Sequence, residues 1–375
     1  MTKLTRRGAL GLVSGAMLSA CSGWPSKEQG TAPAPGTPGL KDLAAETGVR
    51  FGTAMSSRQL SDPDYVRLVL QDCAAIVAEN EHKMYVIQPR PGEWNWERSD
   101  ALVAFAREHG LAMRGHTLLW HRTRWLPQWV NDSEFANAAE VETLLGDYVT
   151  QVAARDGGYI HSWDVVNETV DPATGELRET SFSRVMGQGI LEFCFHKAKE
   201  AAPNAQLVYN DYMSWETGME KHRAGVLKLL ERLKKNGAPV DALGIQSHSN
   251  SDRPDSFTPA KQKAWRDFVD EVVGMGLDLT LTEFDVNDTT MEADIGIRDR
   301  AAAAYTKDYL DIMLSYPQTK EVMMWGLVDS QSWLKDFLPR EDGVAKRPTL
   351  FDADYKPKPM HEAVAAAFRA APTRD

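Results

Sequence analysis

Eight short apolar runs, separated by helical stretches, recur between residues 50 and 329 and constrain this chain more than any other feature. They are RFGTAM (50–55), AIVAEN (75–80), LAMRGHTLLW (111–120), IHSWDVVNE (160–168), QLVYNDY (206–212), ALGIQSH (242–248), LDLTLTEFDV (277–286) and EVMMWGLVD (321–329). Each is short and rich in β-branched or other apolar residues, as a strand buried on both faces should be. Between them, stretches such as LVAFAREHG, VETLLGDYVTQVAARDG, RAGVLKLLERLKKNG and DRAAAAYTKDYLDIML show helical periodicity. Eight such alternations predict a parallel sheet closed on itself, an α/β fold of the (β/α)8 TIM barrel type. A barrel of this kind takes about 250 residues or more, so one domain over 41–375 accounts for the chain.

The strand ends carry a second message. Polar or aromatic residues stand where the apolar runs stop: Glu79 and Asn80, His116 and Trp120, Asn167 and Glu168, Asn210 to Tyr212, Gln246 and His248, Glu283 and Asp285, and Trp325. A charge is costly to bury without a partner. In a parallel barrel, however, every C-terminal strand end opens on one face, where such residues share a pocket. WDVVNE (163–168), an apolar strand closed by an amide and a carboxylate, therefore marks a cleft rim.

The rim's composition narrows the chemistry. A metal-dependent hydrolase would need clustered His, Asp or Glu ligands. The nine His residues include no H-x-H and no H-E-x-x-H, and HEAVA (361–365) lacks a second His, so neither a metal nor another cofactor is expected. WGLVDSQSW (325–333) does not supply the Gly-rich loop of a phosphate-binding barrel. Two carboxylates facing each other suit glycoside hydrolysis, one giving a proton and the other attacking. Glu168 and Glu283 are the best pair, each closing an apolar strand on opposite sides of the barrel. Most other Asp and Glu read as surface charges. These two do not, because Asn167, His248 and several Trp converge on the same rim.

The ordered motifs ENEHK (79–83), RGHTLLWH (114–121), WDVVNE, YNDY (209–212), IQSH (245–248), LTEFD (281–285), WGLVDSQSW and RPTLFDADYKPKP (347–359) resemble glycoside hydrolase family 10, the endo-1,4-β-xylanases. The resemblance runs from about residue 50 to 368. It implies a retaining catalytic domain with Glu168 as general acid/base and Glu283 as nucleophile, their carboxyl groups about 5 to 5.5 Å apart. It implies xylan and xylo-oligosaccharides as ligands, with Glu79, Asn80, Lys83, His116 and Gln246 on sugar hydroxyls. Trp120, Trp325 and Trp333 are expected as floor and walls of the non-reducing-side subsites, and Tyr212 on the leaving-group side. His248, counted with the substrate-binding residues and oriented by Asp285, is expected to donate to Glu283 and keep it ionised. Asn167 is expected to bond the sugar 2-hydroxyl, a contact that strengthens in the transition state. Trp163 and Trp265 read as core. Two departures from the family pattern, His82-Lys83-Met84 and Met213 after NDY, fall beside these contacts and bear on subsite strength. Two other readings stay open: a β-glycanase acting on cellulose-like chains, and a catalytically silent glycan-binding protein, which would need neither glutamate.

The first residues stand apart from the barrel. MTKLTRR carries Lys3, Arg6 and Arg7, and the uncharged GALGLVSGAMLSA completes a signal peptide over 1–20, too short to span a bilayer as a mature helix. Arg6-Arg7 resembles a twin-arginine signal, and LSAC (18–21) a lipobox, which makes Cys21 the lipidated residue. Residues 21–40, rich in Pro, Gly, Ser and Thr, read as a flexible tether. The expected product is an exported bacterial lipoprotein, periplasmic or at the cell surface, membrane-anchored through Cys21 and monomeric. A net charge of −11, from 42 Lys plus Arg against 53 Asp plus Glu, argues against a nucleic-acid partner. Cys73 and Cys194 fall in helical patterns and read as buried thiols.

Overall fold

Every one of the eight apolar runs overlaps a strand in the computed structural model, which describes residues 38–249 and 257–374. The strands are Arg50–Met55 (β1), Ala75–Ala78 (β2), Ala112–Trp120 (β3), Ile160–Asn167 (β4), Gln206–Asp211 (β5), Ala242–Ile245 (β6), His248–Ser249 (β7), Asp278–Val286 (β8) and Thr319–Met324 (β9). Their hydrogen-bonded order is β6-β5-β4-β3-β2-β1-β9-β8, and a β6–β8 pairing closes the ring into an eight-stranded parallel barrel. The two-residue β7 pairs only with β8. It exists because the sixth run is split: Ser247, at φ 64°, turns the chain between Ile245 and His248. The eighth run is cut short at Met324, and Gly326 (φ 96°) turns the chain just after Trp325.

The apolar core lies between the strands and an outer ring of helices. Glu220–Lys235 shows the logic, burying Val226, Leu229, Leu230 and Leu233 on one stripe, with Arg232, Lys234 and Lys235 in its last turn. Each such side chain contributes about 1.5–3 kcal/mol on burial. Helix starts are written locally. Asp62 accepts from the Asp64 and Tyr65 backbone N–H groups ahead of Pro63, and Asp294 accepts from Ile297. Trp163 and Trp265 are buried, as expected. Cys73 and Cys194 are separate buried thiols, both pushed up in pKa by burial.

The barrel interior is filled differently. Arg114 on β3 is fully buried and donates to Asp164 on β4 (2.6 Å), with Glu321 on β9 at 3.2 Å. Burial alone would disfavour the Arg114 cation, but these two carboxylates outweigh it. One glycine is required here: a Cβ on Gly115 would lie 2.1 Å from the Trp163 ring. The indole therefore fixes β3 against β4.

Among the described residues no helix is long and apolar enough to cross a membrane. The signal peptide, Cys21 and the tether up to residue 37 lie outside the described residues. Leu40, the last tether residue, already begins the helix Leu40–Glu46 and is buried.

Candidate active site

The C-terminal strand ends surround a cleft of about 600 Å³. Glu168 follows the last residue of β4 and Glu283 lies within β8, so the two carboxylates come from opposite sides of the ring.

Glu283 is 5% exposed and held at both oxygens. Asn210 Nδ2 donates to Oε1 (2.8 Å), and His248 Nε2 lies 3.3 Å from Oε2. His116 Nδ1, bonded to Asp164 at 2.8 Å, stands 4.0 Å from Oε1. Burial would push the Glu283 carboxyl up. His116, His248 and Lys83 together outweigh burial and hold its pKa at about 2. His248 sits between two carboxylates, with Nδ1 2.9 Å from Asp285 Oδ1. Burial favours its neutral form, but Asp285 and Glu283 hold the pKa up at about 10, so near neutrality it is an imidazolium. Asp285 is fixed in turn by Trp333, whose Nε1 donates to Oδ2 (2.8 Å). The result is a chain of Trp333, Asp285, His248 and Glu283 that keeps one carboxylate charged and aimed.

Asn210 owes its position to its neighbours. Thr282 donates to its Oδ1 (2.7 Å), which turns Nδ2 toward Glu283 and Asn167 Oδ1 (2.9 Å). Across the sheet it pairs with Gly244, where a Cβ would fall 2.4 Å from Asn210 Oδ1. Glycine at 244 thus makes room for the carboxamide that holds Glu283.

Glu168 is held by partners that lie outside the strands. Arg122 Nη1 donates to Oε2 (2.6 Å) and Gln246 Nε2 to Oε1 (3.1 Å). The Arg122 side chain is 31% exposed, and Gln246 belongs to the turn between β6 and β7. Glu168 itself adopts φ 54°, a left-handed conformation that costs a non-glycine residue on the order of 1–3 kcal/mol. The turn swings its carboxyl out of the strand and into the cleft.

On the opposite side Lys83 donates to Asn80 Oδ1 (3.0 Å) and lies over the rings of Trp120 (4.7 Å) and Trp325 (5.9 Å). Burial lowers the Lys83 pKa against the pull of Glu283 and Glu79, and burial raises that of Glu79. Trp325 packs edge-on against His116, and Trp333 tilts over His248. Aromatic walls beside polar side chains make the cleft a mixed apolar and hydrogen-bonding surface.

The structure brings together nearly all the residues singled out from sequence. Glu79, Asn80, Lys83, His116, Trp120, Glu168, Tyr212, Gln246, His248, Glu283, Trp325 and Trp333 all line the cleft. Asn167 is 1% exposed and is absent from the lining, but its carboxamide bonds Asn210, the residue that holds Glu283, and lies 3.4 Å from Gln246. Asp285 is buried beneath His248. His82, Met84 and Met213 are buried as well and do not line the cleft, so these family departures alter its support and not its lining. Sequence reasoning missed Tyr85, Arg122, Arg124, Trp125, Glu216 and Phe337, which also line it. For Arg122, Arg124 and Trp125 the signal was HRTRW (121–125), basic and aromatic residues directly after a strand end on the open face.

Residues 39–367 match the sequence profile described as glycosyl hydrolase family 10. The chain is 29% identical over 353 residues to "Endo-1,4-beta-xylanase A" of Xylanibacter ruminicola, an alignment covering 86% of this chain and 91% of that protein. It is 30% identical over 317 residues to "Endo-1,4-beta-xylanase 3" of Hypocrea jecorina, covering 84% and 81%. Among solved structures, native xylanase 10B from Thermotoga maritima superposes with a TM-score of 0.77 at 30% identity, covering 88% of this chain and 98% of the other. Xylanase 10B from Thermotoga petrophila RKU-1, solved with xylobiose, gives 0.78 at 28% identity, covering 88% and 97%.

Proposed function

The chain belongs to glycosyl hydrolase family 10 and is a glycoside hydrolase, and we propose that it is an endo-1,4-β-xylanase that cleaves internal xylosidic bonds with retention. The carrying observation is the unequal holding of two facing carboxylates. Glu283 is locked ionised, as a nucleophile must be, while Glu168 projects into the same cleft from just past the end of β4, with one partly exposed and one turn-borne partner.

In the first step Glu168 passes its proton to the glycosidic oxygen while a Glu283 oxygen attacks the anomeric carbon. The carbon–oxygen bond breaks, the shortened chain leaves as an alcohol, and a glycosyl ester remains on Glu283. In the second step the ionised Glu168 takes a proton from water, whose oxygen attacks the same carbon from the vacated side. Glu283 departs as a carboxylate, and two inversions give retention. As charge leaves Glu283 toward the sugar, Asn210 and His248 stay in place, so no dipole has to reorient. Glu79, Asn80, Lys83, His116 and Gln246, which line the cleft, are assigned to sugar hydroxyls in this reading, and Trp325 and Trp333, on the same lining, to the exclusion of a glucose hydroxymethyl.

Reducing-sugar release from xylan, cellulose and mannan, measured side by side, tests the reading. Release from xylan above the other two supports it. Equal kcat/KM on cello- and xylo-oligosaccharides of one length would move the assignment to a broader β-glycanase, and no release would leave a glycan binder. We further propose that the enzyme is monomeric and tethered through an acylated Cys21, since LSAC follows an apolar run and precedes a Pro- and Gly-rich segment. Intact-mass analysis of the membrane fraction should find the acyl groups; a soluble, unmodified mature chain would end the anchoring idea.

A further inference from the structure

The cleft of this acidic protein has a basic lip that the hydrolysis of a neutral glycan does not call for. β3 ends at Trp120, and the next residues, His121 to Trp125, form a short turn with a 3-10 helix at Thr123–Trp125. His121 is spent inside, between Thr169 and Thr180. Arg122 is spent on Glu168. Arg124 is different. It is exposed, it lines the cleft, and among the described residues its one recorded partner is the Trp125 ring, 4.8 Å from its guanidinium carbon.

That ring is itself held. Trp125 stacks on Trp120 with centroids 4.6 Å apart and planes 17° from parallel, and Tyr85 lies against it at 6.3 Å. One face of Trp125 is therefore covered by Trp120, and Arg124 lies over the ring as well, so the indole works here as a support for the cation. An arginine laid on an aromatic face keeps its N–H edge available and loses less freedom on binding than a free one. The planar fork of a guanidinium fits a carboxylate through two parallel hydrogen bonds. The two facing carboxylates do not use it: Glu168 is taken by Arg122 and Gln246, and Glu283 by Asn210 and His248.

We propose that Arg124 is a receptor for a carboxylate borne by the substrate, so that the preferred ligand is a xylan carrying uronic-acid side groups near the bond to be cut. The proposal rests on the xylanase reading and names its substrate class. Placement on the turn that carries Arg122, two residues from the partner of Glu168, sets the acidic side group on a sugar close to the reacting one. The net charge of −11 makes the feature more pointed, because the protein as a whole repels an anionic polymer and this lip opposes that repulsion.

The test uses three substrates: an undecorated xylo-oligosaccharide, a uronic-acid-bearing xylan fragment, and the same fragment with its carboxyl groups reduced to alcohols. The wild-type enzyme should show a kcat/KM about tenfold higher on the acidic fragment than on its reduced form, the size expected of a charge-assisted bidentate contact. That ratio should shrink as salt is added. In Arg124→Gln the ratio should fall to about one, with Arg124→Lys intermediate, since an ammonium keeps the charge and loses the fork. Equal rates of wild type on acidic and reduced fragments overturn the proposal, as does a preference that survives Arg124→Gln. Either result leaves the xylanase reading intact so long as the undecorated oligosaccharide is cut; failure to cut any of the three overturns that reading, and the proposal with it.

Discussion

Glu283 and Glu168 face the same cleft, yet the chain holds them by opposite means. Glu283 sits inside a strand, with Asn210 on one oxygen, His248 on the other and a pKa held at about 2. Glu168 sits just past a strand end, in a left-handed turn, with partners from a half-exposed arginine and a loop glutamine. The difference teaches how a rigid barrel divides labour. A group that keeps one charge until it forms a bond gains from being fixed, whereas a group that trades a proton twice per turnover gains from standing at an open strand end, within reach of the leaving oxygen and of water.

The largest expected effect comes from deleting the fixed side. Glu283→Ala leaves no atom to form the glycosyl ester, so turnover on every glycoside should fall by about 10⁴-fold or more, measured by initial rates on xylan and on an aryl xylobioside. Deleting the proton-trading side should act selectively. Glu168→Ala should lower xylan cleavage by about 10²–10⁴-fold, because the sugar alkoxide leaves poorly without a proton. The aryl xylobioside should still react in a burst, followed by slow turnover that azide accelerates as a β-azide product. Equal losses on both substrates without azide rescue would erase the contrast between the two glutamates.

A third variant asks whether fixing matters apart from charge. In Gly244→Ala the new methyl meets Asn210 Oδ1, which should displace the carboxamide from Glu283 and cost about 1–3 kcal/mol of stability by overpacking. A kcat loss of about tenfold should accompany the drop in denaturant midpoint; a stable variant of full activity would show that Glu283 does not need Asn210. The smallest effect at neutral pH is expected from His248→Asn. Glu283 is depressed to about 2 partly by His248, so without that cation its pKa rises toward the ordinary 4.5. The nucleophile is active only above its pKa, so activity is lost as pH falls, and the acid limb of kcat/KM should move up by about one unit. An unmoved limb would assign the depression to His116 and Lys83.

The barrel was legible because each buried parallel strand is a run of apolar residues too short to be a helix, and eight of them recur. The breaks were harder. ALGIQSH reads as one strand, yet Ser247 takes a left-handed φ and splits it, which residue type alone does not announce. The carboxylates were legible as charges where charges are costly. Asn167 was legible the same way, and the structure sets its carboxamide against Asn210 and Gln246, which bond Glu283 and Glu168 in turn. Arg124 was invisible because an arginine in a loop after a strand looks like any solvated charge until the Trp120–Trp125 stack shows what holds it.

The left-handed turn at Glu168 has a consequence for the history such a chain can have. Glycine would sit in that conformation without strain, so the position is occupied against the preference of its own backbone, at a cost on the order of 1 kcal/mol that the contacts with Arg122 and Gln246 offset only in part. Wherever cutting glycans ceased to matter, the drift that strengthened the fold would be the drift that removed the acid. The chain's easiest descendant is therefore a sturdier barrel with its aromatic slot intact, a lectin made from an enzyme by the loss of one side chain.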